Sequence, residues 1–216
     1  MAFGYPIALD LAGRRALVVG ANAVAQGKVE GLLDAGATVK VVADGPAARL
    51  AALEGDERVT VAWRAFRARD LSGAFVCVAS SEDPAERAFI HAEAKRRGVL
   101  VNVMDDPPHC DFAAPAVVRR GDLVIAVSTG GRSPALARRL REELEGRFGK
   151  EWKEIVEILG EARDRALSLL PDYGARASRW HEALDLEELE RLVRDGQAEQ
   201  ARRNLLERLV GSAVGA

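Results

Sequence analysis

Over the first 105 residues, short continuous apolar runs alternate with stretches whose apolar positions recur every three or four residues. Ala16-Leu17-Val18-Val19 runs into Gly20 and predicts a strand buried on both faces. A helical stretch follows, with Val24, Val29, Leu32 and Leu33 on one face, and Gly36 stops it. Residues 39–42, 59–62, 75–79 and 99–104 predict four more strands. Between them, 46–54 and 84–97 have helical spacing, the second closed by Gly98. Strands and helices alternating in this way predict the α/β class, a parallel sheet with helices on both faces.

The pattern changes after Asp105, where Asp106-Pro107-Pro108 interrupts regular structure. Residues 116–118 and 123–128 flank the expected turn Arg119-Arg120-Gly121-Asp122 and predict a β-hairpin. Ser133-Pro134 then supplies an N-cap followed by proline at the first helical position. Leu136, Leu140, Leu144 and Phe148 give that helix an apolar stripe. From about residue 150 the chain is helical. Trp152, Ile155, Val156, Leu159, Ala162, Ala166 and Leu170 mark one helix, and Pro171-Asp172-Tyr173-Gly174 predicts a turn. Asp185 with Glu188 has the form of a capping box for a helix ending near Gly196, and a last helix covers 198–210. The expected organisation is a dinucleotide-binding domain over 1–112, a dimerisation region over 113–149 and a helical domain over 150–216.

Composition narrows the function classes. Among 216 residues, 48% are hydrophobic and 30% charged, with a net charge of −2, so no global field favours nucleic acid or an anionic membrane. Cys77 and Cys110 are too few for a disulfide framework and form no C-x-x-C motif. The amino-terminal segment lacks the basic and apolar regions of a signal peptide, and no window approaches the roughly 18 uninterrupted apolar residues of a membrane span. A reducing cytoplasm is the expected location.

Gly20-Ala21-Asn22-Ala23-Val24-Ala25 lies where the first strand meets the first helix, the place of a G-x-G-x-x-G/A phosphate loop in a Rossmann-type fold. The first glycine allows the tight turn. The helix end offers free N–H groups and a positive dipole end to a pyrophosphate. Asp44-Gly45 ends the second strand, and an acid there accepts from ribose hydroxyls and disfavours a 2′-phosphate. The middle glycine is replaced by Asn22. Asparagine tolerates a positive φ, so the turn survives if the side chain points away from the ligand. The plain alternative is a strand-turn-helix without nucleotide.

Several ordered motifs together resemble one family, the precorrin-2 dehydrogenases, also described as the siroheme synthase amino-terminal or dehydrogenase/ferrochelatase family. They are Tyr5-Pro6-Ile7-Ala8-Leu9-Asp10-Leu11, which looks like its first strand, and Val18-Val19-Gly20 with Val24-Ala25 and Lys28. Asn102-Val103-Met104-Asp105-Asp106-Pro107, Cys110-Asp111-Phe112, Pro115-Ala116-Val117, and Ile125-Ala126-Val127-Ser128-Thr129-Gly130-Gly131 with Ser133-Pro134-Ala135-Leu136-Ala137 complete the series. The likeness covers about residues 5–150. It implies oxidation of the tetrapyrrole precorrin-2 to sirohydrochlorin with NAD as hydride acceptor, in a homodimer, with Fe²⁺ as a further substrate in those members that also insert the metal. The sequence departs from the family at Gly20-Ala21-Asn22, where three glycines are usual, at Gly27, and at Ser80-Ser81.

Asp105 ends the fifth strand, and the matching family aspartate is the general base. Removing a hydride from a reduced macrocycle leaves a cation that must lose a proton, which a carboxylate can accept. The alternative is a turn-capping aspartate; Asp106 is expected to be the turn residue. Thr129, Gly130, Gly131 and Ser133 are expected to form an anion nest for the substrate's carboxylates. Residues 119–150 hold eight cations (Arg119, Arg120, Arg132, Arg138, Arg139, Arg141, Arg147 and Lys150) against four acids. That leaves about +4 on a chain that is net negative, unless i,i+4 pairs such as Arg138 with Glu142 neutralise it. His109, Cys110 and Asp111 are not spaced to converge on an ion, so no metal site is expected. The three tryptophans are read as packing residues. Two rival readings stay open: iron insertion in the same cleft, and a non-catalytic tetrapyrrole carrier whose nucleotide site has decayed.

Overall fold

β1 (Arg15–Val19) buries four of its five residues, with Ala16 and Val18 on one face of the sheet and Leu17 and Val19 on the other. A continuous apolar run is what a strand covered on both sides requires. β1 pairs in parallel with β2 (Thr38–Ala43) and with β4 (Val76–Ala79). β3 (Val59–Trp63) and β5 (Leu100–Val103) complete a five-stranded parallel sheet in the order β3-β2-β1-β4-β5. The computed structural model describes residues 4–45 and 47–211, and the chain divides into two compact units, Met1–Ala114 and Pro115–Ala216.

In the first unit α1 (Ala23–Asp34) covers one face through Ala25, Val29 and Leu33. α3 (Pro84–Arg97) covers the other through Ile90 and Ala94. Asp83 caps α3 by accepting from the Ala85 N–H, Pro84 takes its first position, and Gly98 ends it at φ 67°. Between β2 and β3 only α2 (Ala48–Ala51) is helical, shorter than the expected 46–54; residue 46 lies outside the described residues. β3 and β4 are joined by a 3-10 turn, Ala68–Leu71. Because β1 and β4 are neighbours while their connections leave in opposite directions, a crevice opens at their carboxyl ends. Two expectations fail here. Residues 5–11 form no strand; only Leu11 is buried, while Tyr5 and Ile7 are exposed. Val24 faces solvent, so the buried stripe of α1 starts at Ala25.

The second unit opens with an antiparallel hairpin, β6 (Ala116–Arg120) and β7 (Leu123–Val127), in which Val118 faces Ile125. Its turn is Gly121-Asp122, so Arg119 and Arg120 are strand residues and not turn residues as expected. Arg120 reaches the far end of α4 (Pro134–Arg147), donating to the Phe148 carbonyl at 2.9 Å and the Gly149 carbonyl at 3.1 Å. Half of the expected stripe on α4 is uncovered: Leu136 and Leu140 are exposed, while Leu144 and Phe148 are half-buried and Ala137 is buried. α5 (Glu151–Leu169) buries Trp152, Ile155, Ile158, Ala162 and Ala166. α6 (Tyr173–Ala183), α7 (Leu186–Arg194) and α8 (Ala198–Val210) supply Ala183, Leu189, Leu192, Leu205 and Leu209 to the same core. Tyr173 and Gly174 are helical because Asp172 caps α6, accepting from Ala175. The capping box at Asp185 is half formed: Asp185 accepts from Glu188 N–H, but the Glu188 carboxylate turns to Arg208 and Asn204. Among the described residues no helix is long and apolar enough to cross a membrane.

Candidate functional site

At the crevice Gly20 leaves β1 with φ 123°, and a Cβ there would lie 2.4 Å from the Ser80 carbonyl oxygen. No side chain fits, so position 20 is restricted by both backbone angle and contact. Gly20, Asn22 and Asp44 line one cleft of about 300 Å³, together with Val19, Ala21, Val42, Phe66, Ser80, Ser81, Glu82 and Glu86. That volume is at the lower end of the ~300–1,000 Å³ of small-molecule sites. The Ala23 and Val24 backbone N–H groups at the α1 end have no partner among the described residues, whereas Ala23, Val24 and Gly45 do not line the cleft. The acids Asp44, Glu82 and Glu86 face this volume, and none of its lining residues is a lysine or arginine.

Asn22 contradicts the expected orientation. Its backbone is extended, φ −79°, so no left-handed turn is asked of it. Its side chain does not turn away: Oδ1 accepts from the Ala25 N–H at 2.9 Å, and Nδ2 donates to Ser80 Oγ at 2.6 Å. The residue is an ordinary N-cap, satisfying one of the orphan donors of α1 inside the cleft. Phe66, Glu82 and Glu86 are cleft residues that sequence reasoning did not single out, and Ser80 and Ser81, noted there as departures from the family, line the cleft beside them. Ser81 Oγ donates to Glu86 at 2.5 Å, and Phe66 meets Phe89 edge to face at 6.0 Å. Phe66 follows β3, Ser81 and Glu82 follow β4, and Glu86 is in the first turn of α3, all at the carboxyl edge of the sheet where an open parallel sheet holds its ligand; strand order, not a motif, was the signal.

Asp105 lies two residues beyond β5, exposed, and has the only positive φ of a non-glycine among the described residues, 58°. It is flanked by bonds that hold the loop. The Met104 N–H donates to the Ala79 carbonyl and the Asp106 N–H to the Val103 carbonyl. The Asp106 carboxylate bonds His109 Nδ1 at 2.9 Å and lies 3.4 Å from Arg87 Nε of α3. His109 in turn packs against His91 of α3 with the rings tilted, their centroids 4.9 Å apart. Burial, seconded by the His109 charge, lowers the His91 pKa. Asp106 is therefore the turn-anchoring acid, and Asp105 is left without a side-chain partner among the described residues. His109, Cys110 and Asp111 diverge: Cys110 Sγ donates to the Val103 carbonyl, and Asp111 bonds Lys95 and the Val101 N–H. Burial pushes the Cys77 thiol up to about 12 and raises that of Cys110, so neither is an activated nucleophile.

In the second unit Gly130 and Gly131 both have positive φ, 61° and 81°. Most of the loop's donors are used internally. The Gly130 N–H bonds Ser128 Oγ, the Ser133 N–H bonds Thr129 Oγ1, and the Leu136 N–H bonds Ser133 Oγ, the expected cap. The nest that residues 129–133 were expected to form thus has few donors left for an anion. The basic stretch is paired in part, with no ion pair for Arg119, Arg132 or Lys150 among the described residues. Arg138, Arg139 and Arg141 bond Glu142, Glu143 and Glu145, and Arg147 bonds the buried Glu190 of α7.

Comparison with known proteins adds the following. Residues 7–116 match the family described as "Putative NAD(P)-binding", and residues 120–147 match "Sirohaem biosynthesis protein central". Siroheme synthase 1 of Pectobacterium atrosepticum is 41% identical over 205 residues, covering 95% of this chain and 42% of that protein. The siroheme synthase of Methylococcus capsulatus is 37% identical over 202 residues, 94% of this chain and 42% of its own length. The chain thus spans less than half the length of these curated relatives. A solved structure of SirC, a precorrin-2 dehydrogenase, superposes with a TM-score of 0.69 at 28% identity, covering 95% of this chain and 98% of that one.

Proposed function

Since the chain belongs to the precorrin-2 dehydrogenase and siroheme synthase family, we propose that it oxidises precorrin-2 to sirohydrochlorin with NAD⁺, a step of siroheme biosynthesis. The observation that carries the reading is the cleft at the ends of β1 and β4, where Gly20 meets Ser80 without room for a side chain and Asp44 stands at the end of β2. The bound dinucleotide supplies the hydride acceptor. Gly20 lets its phosphates approach the backbone, the Ala23 and Val24 N–H groups remain to donate to them, and Asp44 accepts from a ribose hydroxyl. NAD⁺ is favoured over its 2′-phosphorylated form because Asp44, Glu82 and Glu86 would repel a further phosphate that no lining cation offsets.

Asp105 is the proposed base. Oxidation removes two electrons and two protons from precorrin-2: a hydride leaves to NAD⁺, and a proton remains to be taken. An exposed carboxylate held at a strand end, free of its own ion pair, can take it. Residues 129–133 are proposed to receive substrate carboxylates through the donors that remain, and the chain is proposed to act as a cytoplasmic homodimer. Iron insertion into sirohydrochlorin is carried as a second activity of the same acid, tested by adding Fe²⁺ without NAD⁺.

The test is turnover of precorrin-2 by the purified chain, read as sirohydrochlorin absorbance with and without NAD⁺ and as NADH formation where NAD⁺ is present. Asp105→Asn, which tolerates the same backbone, should lower kcat by about 10²-fold or more. Undiminished turnover by that variant would remove Asp105 from the mechanism, and turnover without NAD⁺ would remove the cofactor. One observation favours a second reading. The Asn22 cap already takes the Ala25 N–H that a pyrophosphate could use, as a non-catalytic tetrapyrrole carrier with a decayed nucleotide site would have it. Calorimetric titration with NAD⁺ separates the two.

A further inference from the structure

The Asn22 amide bridges the cleft. Its Oδ1 sits on the amino end of α1, accepting from the Ala25 N–H at 2.9 Å. Its Nδ2 reaches across to Ser80 Oγ at 2.6 Å. Ser80 is also the residue whose carbonyl closes against Gly20, so the amide joins the two lips between which the phosphates would lie. A backbone N–H makes one strong hydrogen bond at a time, and Oδ1 occupies the direction from which an anion would approach the helix end. We propose that Asn22 is a built-in competitor of the cofactor's pyrophosphate, an affinity-determining residue that leaves Ala25 and Ser80 as a dinucleotide seats. The inference rests on reading this cleft as the dinucleotide site.

The geometry makes such a movement inexpensive. Asn22 has an extended backbone at φ −79°, so only side-chain torsions turn and no backbone strain opposes them. The residue is exposed, and water replaces the bonds its amide gives up. What is lost on seating the ligand is one capping bond and one side-chain bond. Each is a net contribution small enough that together they weaken dinucleotide binding by roughly tenfold. In exchange, α1 is capped when the cleft is empty.

The test measures NAD⁺ and adenosine affinity of the full chain by calorimetry for the parent, Asn22→Ala, Asn22→Gly, Asn22→Asp and Ser80→Ala. Asn22→Ala and Asn22→Gly should bind NAD⁺ roughly tenfold more tightly while adenosine, which lacks the pyrophosphate, is held as before. Their unliganded thermal midpoints should fall as the cap is lost. Asn22→Asp keeps the cap and adds a charge facing the phosphates, so NAD⁺ should bind more weakly. Ser80→Ala keeps the cap and cuts only the tether, so it remains informative if a position-22 variant fails to fold; it should bind NAD⁺ a few-fold more tightly. Weaker or unchanged NAD⁺ binding by Asn22→Ala, where the parent binds, overturns the proposal and leaves the dinucleotide reading standing. Binding by Asn22→Gly but not by the parent supports it in its strongest form. Absence of NAD⁺ binding in every variant overturns the dinucleotide reading, and this inference falls with it.

Discussion

At position 105 an aspartate adopts a backbone that costs an ordinary L-residue roughly 1–2 kcal/mol. Nothing in its own contacts repays that, since its side chain has no partner among the described residues. What holds it is the frame on either side: the bond from the Met104 N–H to Ala79 of β4, the turn bond from the Asp106 N–H to Val103, and the Asp106 carboxylate fixed by His109 and Arg87. A strained residue maintained by its surroundings is what a functional position looks like, and glycine would be the cheaper choice. Asp105→Gly should therefore leave the unfolding free energy within about 1 kcal/mol of the parent, relief of strain offsetting the added freedom of the unfolded chain, while turnover is lost. Denaturant unfolding and the NADH assay decide it. A variant that unfolds several kcal/mol earlier would show that the carboxylate holds the loop together. Neither this strain nor the Asn22 cap was legible in the sequence. The motif around Asn102 and Asp106 located the acid, but the sign of φ and the rotamer of an amide depend on neighbours from β4 and α3 that are distant in the chain.

Among elements, the segment joining β3 to β4 bears most directly on the cleft, because Phe66 lies on it. It contains no full helix. Its order comes from Asp70, whose side chain is fully buried and accepts from Lys40 of β2 at 2.7 Å, from both terminal nitrogens of Arg64, and from the Arg67 N–H. The Arg64 guanidinium, opposed by burial and seconded by Lys40, holds the Asp70 carboxyl well below the usual carboxylate range. A depressed carboxylate adds stability above its unfolded pKa of about 3.9 and loses it as pH falls through the lower folded value. Asp70→Asn should destabilise the first unit by about 2–3 kcal/mol at neutral pH, less than a wholly buried pair because both cations are partly wet. That deficit should shrink below about pH 4, where Asp70 of the unfolded parent begins to take up a proton that the folded state still refuses. A pH series of urea midpoints checks this, and a deficit independent of pH would refute it. The ion cluster was invisible in the sequence because its members are 30 and 6 residues from Asp70 with no helical or strand period between them. By contrast α3 was legible to the residue, since Pro84 and Gly98 act through local backbone chemistry. Where apolarity alone was the signal, at Val24, Leu136 and Leu140, it marked surface that this chain does not bury.

For the whole molecule, the hairpin poses the question of what it packs against. A lone two-stranded sheet is marginal in water. One face of β6–β7 is covered within its unit, where Val118 is buried, but Val117 and Val124 point outward and remain exposed. In the described chain β6 and β7 pair only with each other, so each has an unpaired outer edge. Open edges beside apolar side chains invite a further strand, and a second copy of the same chain is the partner that places the same surface on both sides of a two-fold axis. On that argument we propose that the chain pairs with a second copy of itself through this hairpin. Val124→Asp should dissociate it, because one substitution puts two charges into the interface. The isolated chain should keep its own stability within about 0.5 kcal/mol, since position 124 is already exposed there. Sedimentation equilibrium at micromolar concentration distinguishes the outcomes. A monomeric parent would remove the dimer, and a Val124→Asp protein that stays dimeric would move the interface elsewhere, with the exposed leucines of α4 the next surface to charge.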